Sequence, residues 1–173
     1  LAWKALGFET VEVTNGSVPL LEDGDATVAG ATPIAHYLER TTAGPSIFPE
    51  DSRRRNQAVT FDEFADRALG WPVAQLLGRT GGPEIDLEEA PALALPEAVD
   101  LVRRSLVYVR GALARGALGL ETCHLGDIAV AAHLVTCREV DELALRRHFG
   151  DLAEYAARIE RLCTERAAER SLG

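Results

Sequence analysis

Methionine is absent from the sequence, and cysteines, basic residues and long apolar runs are scarce. With no initiator, and with Leu1 opening inside an apolar-periodic segment that no residue caps, further residues are expected to precede the chain. Cys123, Cys137 and Cys163 form an odd number of scattered thiols without a Cys-x-x-Cys pair. That excludes a disulfide framework and points to a reducing compartment, by default the cytoplasm. No apolar run approaches the roughly 20 residues that a membrane helix requires, and no signal-peptide pattern opens the sequence. Basic residues number 18 against 27 acidic ones, a net charge of −9. Such a balance argues against a nucleic-acid backbone or an anionic membrane as the main partner. A Gly-rich phosphate loop and a Gly-x-Ser-x-Gly elbow are also missing.

What is present is a globular composition, 47% apolar and 26% charged in 173 residues, enough for one ordinary domain or two small ones. Leu1 to Gly7 reads as the end of a helix, and Phe8–Val13 alternates apolar and polar residues as a strand does. Only four residues, Thr14 to Ser17, separate that strand from Val18. Asn15-Gly16 there is a hairpin signal. A parallel neighbour would need a crossover of about a dozen residues, so a segment missing from this link is the favoured expectation.

The stretch from Ser17 to Arg40 reads as strand, turn, strand and helix. Leu20-Leu21 is an apolar pair, Glu22-Asp23-Gly24-Asp25 a tight turn, and Ala26 to Ala29 a short return strand. Thr32 is expected as the N-cap of the following helix with Pro33 at its first position. Ile34, Tyr37 and Leu38 then stand at helical spacing.

This pattern resembles the glutathione S-transferase superfamily. The resemblance implies a thioredoxin-like α/β part at residues 1–46, a linker at 47–51 and an all-α domain at 52–173. It further implies that Val18-Pro19 presents its backbone to a thiol peptide, glutathione acting as co-substrate. Gly30, Ala31 and Thr32 would offer helix N–H groups to the carboxylate of that peptide. Gly30-Ala31 stands where the family usually has Glu or Gln followed by Ser, and the family's catalytic Tyr, Ser or Cys has no counterpart, so the catalytic residue is unknown. Conjugation or isomerisation of a small-molecule electrophile by a homodimer is the function implied. The alternative is a non-catalytic scaffold subunit, because Gly-x-Thr-x-Ile-Ala is also similar to scaffold modules of aminoacyl-tRNA synthetase complexes.

After the Pro- and Gly-rich linker, every periodic segment is helical. A helix is expected from about Ser52 to Leu69, interrupted at Gly70-Trp71-Pro72 and resumed over Val73–Leu77. Gly78 to Pro96 reads as a loop whose length points to mobility. Val99, Val102, Leu106, Val109 and Leu113 mark a long amphipathic helix. Gly126 to Cys137 is apolar nearly all round and should be buried. His124-Leu125-Gly126-Asp127 resembles the family's Ser/Thr-x-x-Asp capping box, with Thr122 as a substitute cap, and loss of Asp127 should cost about 1 kcal/mol or more. Phe149 to Cys163 forms a further helix with Arg158 and Arg161 in its last turn, followed by a short separate helix from Thr164. Trp71 and Tyr108 are candidates to line a co-substrate pocket. His133 and Cys137, four apart, with Cys123-His124 nearby, lack the tighter paired spacing of zinc sites, so no metal is expected.

Overall fold

The computed structural model describes residues 4, 6–11, 19–79, 93–119 and 123–170. A two-stranded antiparallel sheet, β1 (Leu20–Asp23) and β2 (Ala26–Ala29), opens the described architecture, with Leu20 opposite Ala29 and Asp23 opposite Ala26. Gly24 turns the hairpin at a φ of 59°, a left-handed conformation that costs glycine little. Helix α1 (Ala31–Thr41) follows and buries Ala35 and Leu38. The expected strand at Phe8–Val13 is not found: residues 8–11 are irregular and exposed, and 12–13 lie outside the described residues. Alternation creates a strand only where another strand completes its hydrogen bonds, and among the described residues β1 pairs with β2 alone. The Asn15-Gly16 turn and the Leu1–Gly7 helix also fall largely outside the described residues.

The remainder is a helical bundle. Helix α2 (Ser52–Phe64) is capped by Asp51, whose carboxylate accepts the Arg54 N–H at 2.8 Å. It continues into a π-helical turn, Ala65–Gly70, and then α3 (Trp71–Arg79). The interruption therefore begins five residues before the expected tripeptide and takes in its Gly70. Its wider turn is closed by the Trp71 N–H bonding to the Asp66 carbonyl, and Pro72, lacking an N–H, has no bond to contribute to the next turn. Helix α4 (Leu95–Ala114) starts inside the expected loop, taking Pro96 into its first turn, where proline is tolerated. Residues 80–92 of that loop lie outside the described residues. Val102, Leu106 and Val109 of its apolar stripe are fully buried.

Helix α5 (Leu125–Cys137) is central, flanked by α2, the π turn and α7. A 3-10 turn (Asp141–Leu143) and α6 (Leu145–His148) lead to α7 (Gly150–Arg170), a single helix of 21 residues. The expected break at Thr164 does not occur, because nothing between Cys163 and Arg170 stops a helix. Arg158 and Arg161 are thus mid-helix, away from the carboxyl-terminal dipole. Arg158 instead donates to the Gly119 carbonyl at 2.8 Å. Ile47 and Phe48 of the expected linker are buried in the core, and the Ile47 carbonyl accepts the Leu125 N–H at 2.8 Å. That bond ties the start of α5 to the segment following α1. Among the described residues, no helix is long and apolar enough to cross a membrane.

Candidate functional site

A cavity of about 700 Å³ opens between the hairpin, the start of α1 and the helices α2 and α5. Pro19, Leu20, Leu21, Gly30 and Ala31 form one side of it; Leu125, Ile128, Ala129, Ala132 and His133 form another. The α5 residues recur at helical spacing, so one face of that buried helix is the cavity wall. Asp62 and Asp66, one turn apart on α2 and the π turn, complete it together with Lys4 and apolar side chains of α1.

The α1 amino terminus differs from its sequence expectation. Gly30, not Thr32, is the N-cap residue, at a φ of 91°, and no side chain caps the helix. Thr32 lies inside the first turn, and its hydroxyl donates to Asp62 Oδ2 at 2.6 Å. A buried carboxylate across the domain outcompetes the local N–H groups for that hydroxyl, since hydrogen bonds to charged acceptors are the stronger ones. Pro19 accepts the Gly30 N–H at 2.8 Å through its carbonyl, which joins the hairpin base to the helix start. Pro19, Gly30 and Ala31 therefore meet at one cavity wall, with Thr32 behind them. Val18 lies outside the described residues.

Asp62 is 2% exposed. Burial raises its pKa, and the neighbouring Asp66 and Glu63 carboxylates add to the rise, against the lowering effect of the Thr32 hydroxyl. Lys4 and Glu39 make an ion pair at 3.2 Å. Burial raises the Glu39 pKa, but bonds from Ser46, Lys4 and the Ile47 N–H outweigh it and leave a net lowering. At the other end, His133 Nε2 stands 3.0 Å from Asp66 Oδ1.

Trp71 and Tyr108 do not line this cavity. Tyr108 is exposed on α4, its ring 4.7 Å from that of Phe64, and the half-buried Trp71 holds its indole nitrogen without a partner among the described residues. Aromatic identity alone could not say which face of its helix each would occupy. The sequence does not single out Asp62 or Asp66, and it offers His133 only as a rejected metal ligand. The acid at 62 followed by one at 66 was their only local signal.

Asp127 is fully buried at the start of α5. Its Oδ2 accepts the His124 N–H at 3.2 Å, and His124 Nδ1 accepts the Asp127 N–H at 3.4 Å, so histidine completes the box in place of a hydroxyl. Thr122 lies outside the described residues. Asp127 Oδ1 additionally accepts the Tyr155 hydroxyl and the Gly119 N–H, each at 2.7 Å. Burial, then the adjacent carboxylate, pushes the Tyr155 phenol far up, which keeps it a donor.

The thiols are poor nucleophiles. Burial pushes Cys137 up to about 12, raises Cys123 strongly and raises Cys163. Since the thiolate is the reactive form, a disulfide reagent at pH 8 should label at most Cys163 in the native protein and all three after denaturation. Rapid native labelling of Cys123 or Cys137 would contradict this burial. Among the described residues, no three His, Cys, Asp or Glu side chains gather as they would around a metal ion.

No protein-family model matches the chain, and no curated protein matches it in sequence. Its structure is similar to that of a glutathione S-transferase domain-containing protein from Marinobacter aquaeolei VT8. The TM-score is 0.65 at 22% identity, covering 83% of this chain and 71% of that one. It is equally similar to a glutathione transferase family member from Pseudomonas fluorescens Pf-5, solved with bound S-(propanoic acid)-glutathione. There the TM-score is 0.65 at 22% identity, over 83% of this chain and 72% of that one.

Proposed function

From a chain whose fold is that of the glutathione S-transferase superfamily, we propose a protein that binds glutathione in the cavity beside α1 and conjugates or isomerises a small electrophile with it. The observation that carries this reading is the meeting of opposite electrostatic features on one wall. The uncapped α1 terminus, with its positive dipole end, suits a carboxylate. The buried Asp62 carboxylate beside it suits an ammonium group. Together they complement the zwitterionic γ-glutamyl end of the tripeptide, with Pro19 at the hairpin base on the same wall. The bound conjugate in the Pseudomonas protein supports the same class of ligand. The proposal includes a cytoplasmic homodimer, checked by sedimentation.

The test is thermal. Glutathione at 100 times its dissociation constant should add about 2.7 kcal/mol to stability, roughly 5–10 °C in a chain of this size. A flat melt, with no conjugation of 1-chloro-2,4-dinitrobenzene, would sink the reading. Binding without turnover would instead support the scaffold alternative, which the absence of specifying side chains at Gly30-Ala31 favours.

Asp62→Asn separates ligand binding from folding. The amide oxygen still accepts the Thr32 hydroxyl, so the fold is kept, but the ammonium partner is lost, weakening glutathione about 10- to 100-fold. Stability moves the other way. A carboxylate whose folded pKa is raised contributes fully below its ordinary unfolded value, and that contribution declines as pH climbs through the folded one. The neutral amide lacks this decline, so at pH 7–8 the variant should melt no lower than the parent.

A further inference from the structure

The far end of the cavity holds a pair that the γ-glutamyl site does not use. His133, on the cavity face of α5, has Nε2 3.0 Å from Asp66 Oδ1, and both residues line the cavity. Their side chains are partly accessible, 26% for the histidine and 54% for the aspartate. The π turn prepares this contact in two ways. It carries Asp66 in its first turn, and it puts Gly70 under the imidazole. A Cβ at Gly70 would stand 2.5 Å from His133 Cε1 and 2.9 Å from Nε2, so only a glycine admits the ring. Single π turns of this kind recur at functional sites.

Asp66 lies one helical turn beyond Asp62, a rise of about 6 Å over four residues. A peptide whose γ-glutamyl end rests at Asp62 and the α1 terminus has the pair within about one turn's reach. Among the lining side chains able to exchange protons, Lys4 is paired with Glu39 and Asp62 with Thr32. His133 is the one imidazole among these described lining side chains, and imidazole is the side-chain type best suited to take and return a proton. On α5 itself Asp127 is held by Tyr155 of α7, and Arg138 at the end of α5 pairs with Glu160 of α7 at 3.0 Å.

We propose that His133, positioned by Asp66, is the proton-transfer group of this cavity; addition of glutathione to an alkene conjugated to a carbonyl, which both takes and returns a proton, is the reaction that reads it out. This rests on the glutathione reading above. With Nε2–H donating to the Asp66 carboxylate, Nδ1 is the basic nitrogen, and it has no partner among the described residues. The thiol S–H bond breaks and its proton passes to Nδ1. The sulfur electron pair forms the S–C bond at the β-carbon, and the alkene π pair moves towards the carbonyl as an enolate. The imidazolium then returns its proton to the α-carbon, restoring neutral imidazole. No net oxidation occurs and nothing departs. Addition consumes the proton that the base has taken, whereas halide displacement would leave it on the imidazole.

The experiment compares the parent chain, His133→Gln and Asp66→Asn with glutathione and but-3-en-2-one, alongside melting and binding of S-methylglutathione. His133→Gln should lower kcat/KM for the enone about 100-fold or more, through kcat rather than KM. Its melting temperature and S-methylglutathione affinity should stay close to the parent's. Asp66→Asn should lower kcat less than His133→Gln does and leave KM for glutathione close to the parent's. Parent-like kinetics in His133→Gln would overturn the proposal, as would an inactive parent chain that still binds S-methylglutathione. Failure of the parent to bind S-methylglutathione would instead remove the glutathione reading, and this inference with it.

Discussion

Asp127→Ala is expected to cost about 4 kcal/mol, well beyond the loss of a helix cap, which is worth about 1 kcal/mol. The carboxylate serves three donors from three segments: the His124 N–H, the Gly119 N–H and the Tyr155 hydroxyl. Removing it leaves them facing a hole, and each buried unsatisfied group costs roughly 1–3 kcal/mol, without simple additivity. In a chain of this size that corresponds to about 8–16 °C of melting temperature. Asp127→Asn should fall between, since its single amide oxygen can serve Tyr155 and Gly119 while its NH2 opposes the His124 N–H. Tyr155→Phe should lose about 1 kcal/mol. Thermal denaturation of the three variants checks the ordering. An alanine variant down by only 1 kcal/mol would show that the bonds to Gly119 and Tyr155 contribute nothing.

Gly126→Ala carries the second large effect. Gly126 is buried one residue into α5, and a Cβ there would stand 2.7 Å from Phe61 Cβ and 2.8 Å from the Ala58 carbonyl oxygen of α2. The obstruction is partly backbone, so no rotamer relieves it, and α2 must move outward. Alanine's better helix propensity recovers less than about 1 kcal/mol. Overpacking costs about 1–3 kcal/mol or more, leaving a net loss of about 2 kcal/mol. Because α2 also carries Asp62, the same displacement should widen the cavity and weaken S-methylglutathione binding. Gly78→Ala is the control: nothing among the described residues lies within 4 Å of its Cβ position, so inside α3 it should stabilise by up to about 1 kcal/mol. A Gly126→Ala variant that melts with the parent would show that α2 and α5 are not in tight contact there.

Much of the helical architecture was legible because periodicity is a local property. Val102, Leu106 and Val109 occupy the buried stripe of α4, and the apolar α5 lies in the middle of the bundle. The hairpin turn at Gly24 follows equally from four adjacent residues. Phe8–Val13 shows the limit, since a strand exists only with a partner, and alternation does not say whether one is there. The helix boundaries at Pro96 and Thr164 moved because tolerated residues were taken for stops.

Ser17 to Arg40 determined by itself a hairpin leading into a helix, and with the apolar α5 pattern it indicated the fold. Short-range turn chemistry and helical spacing are sufficient for that. The tertiary structure alone decided what the chemistry-bearing side chains touch. It turned Thr32 from a helix cap into the partner of Asp62, 30 residues away. It brought His133 to Asp66 across 67 residues, and it put Trp71 and Tyr108 outside the cavity. These outcomes depend on which helix faces meet in the packed core. No stretch of sequence contains both sides of such a contact, so the cavity and its proton-bearing groups became visible only once α2 and α5 were placed together.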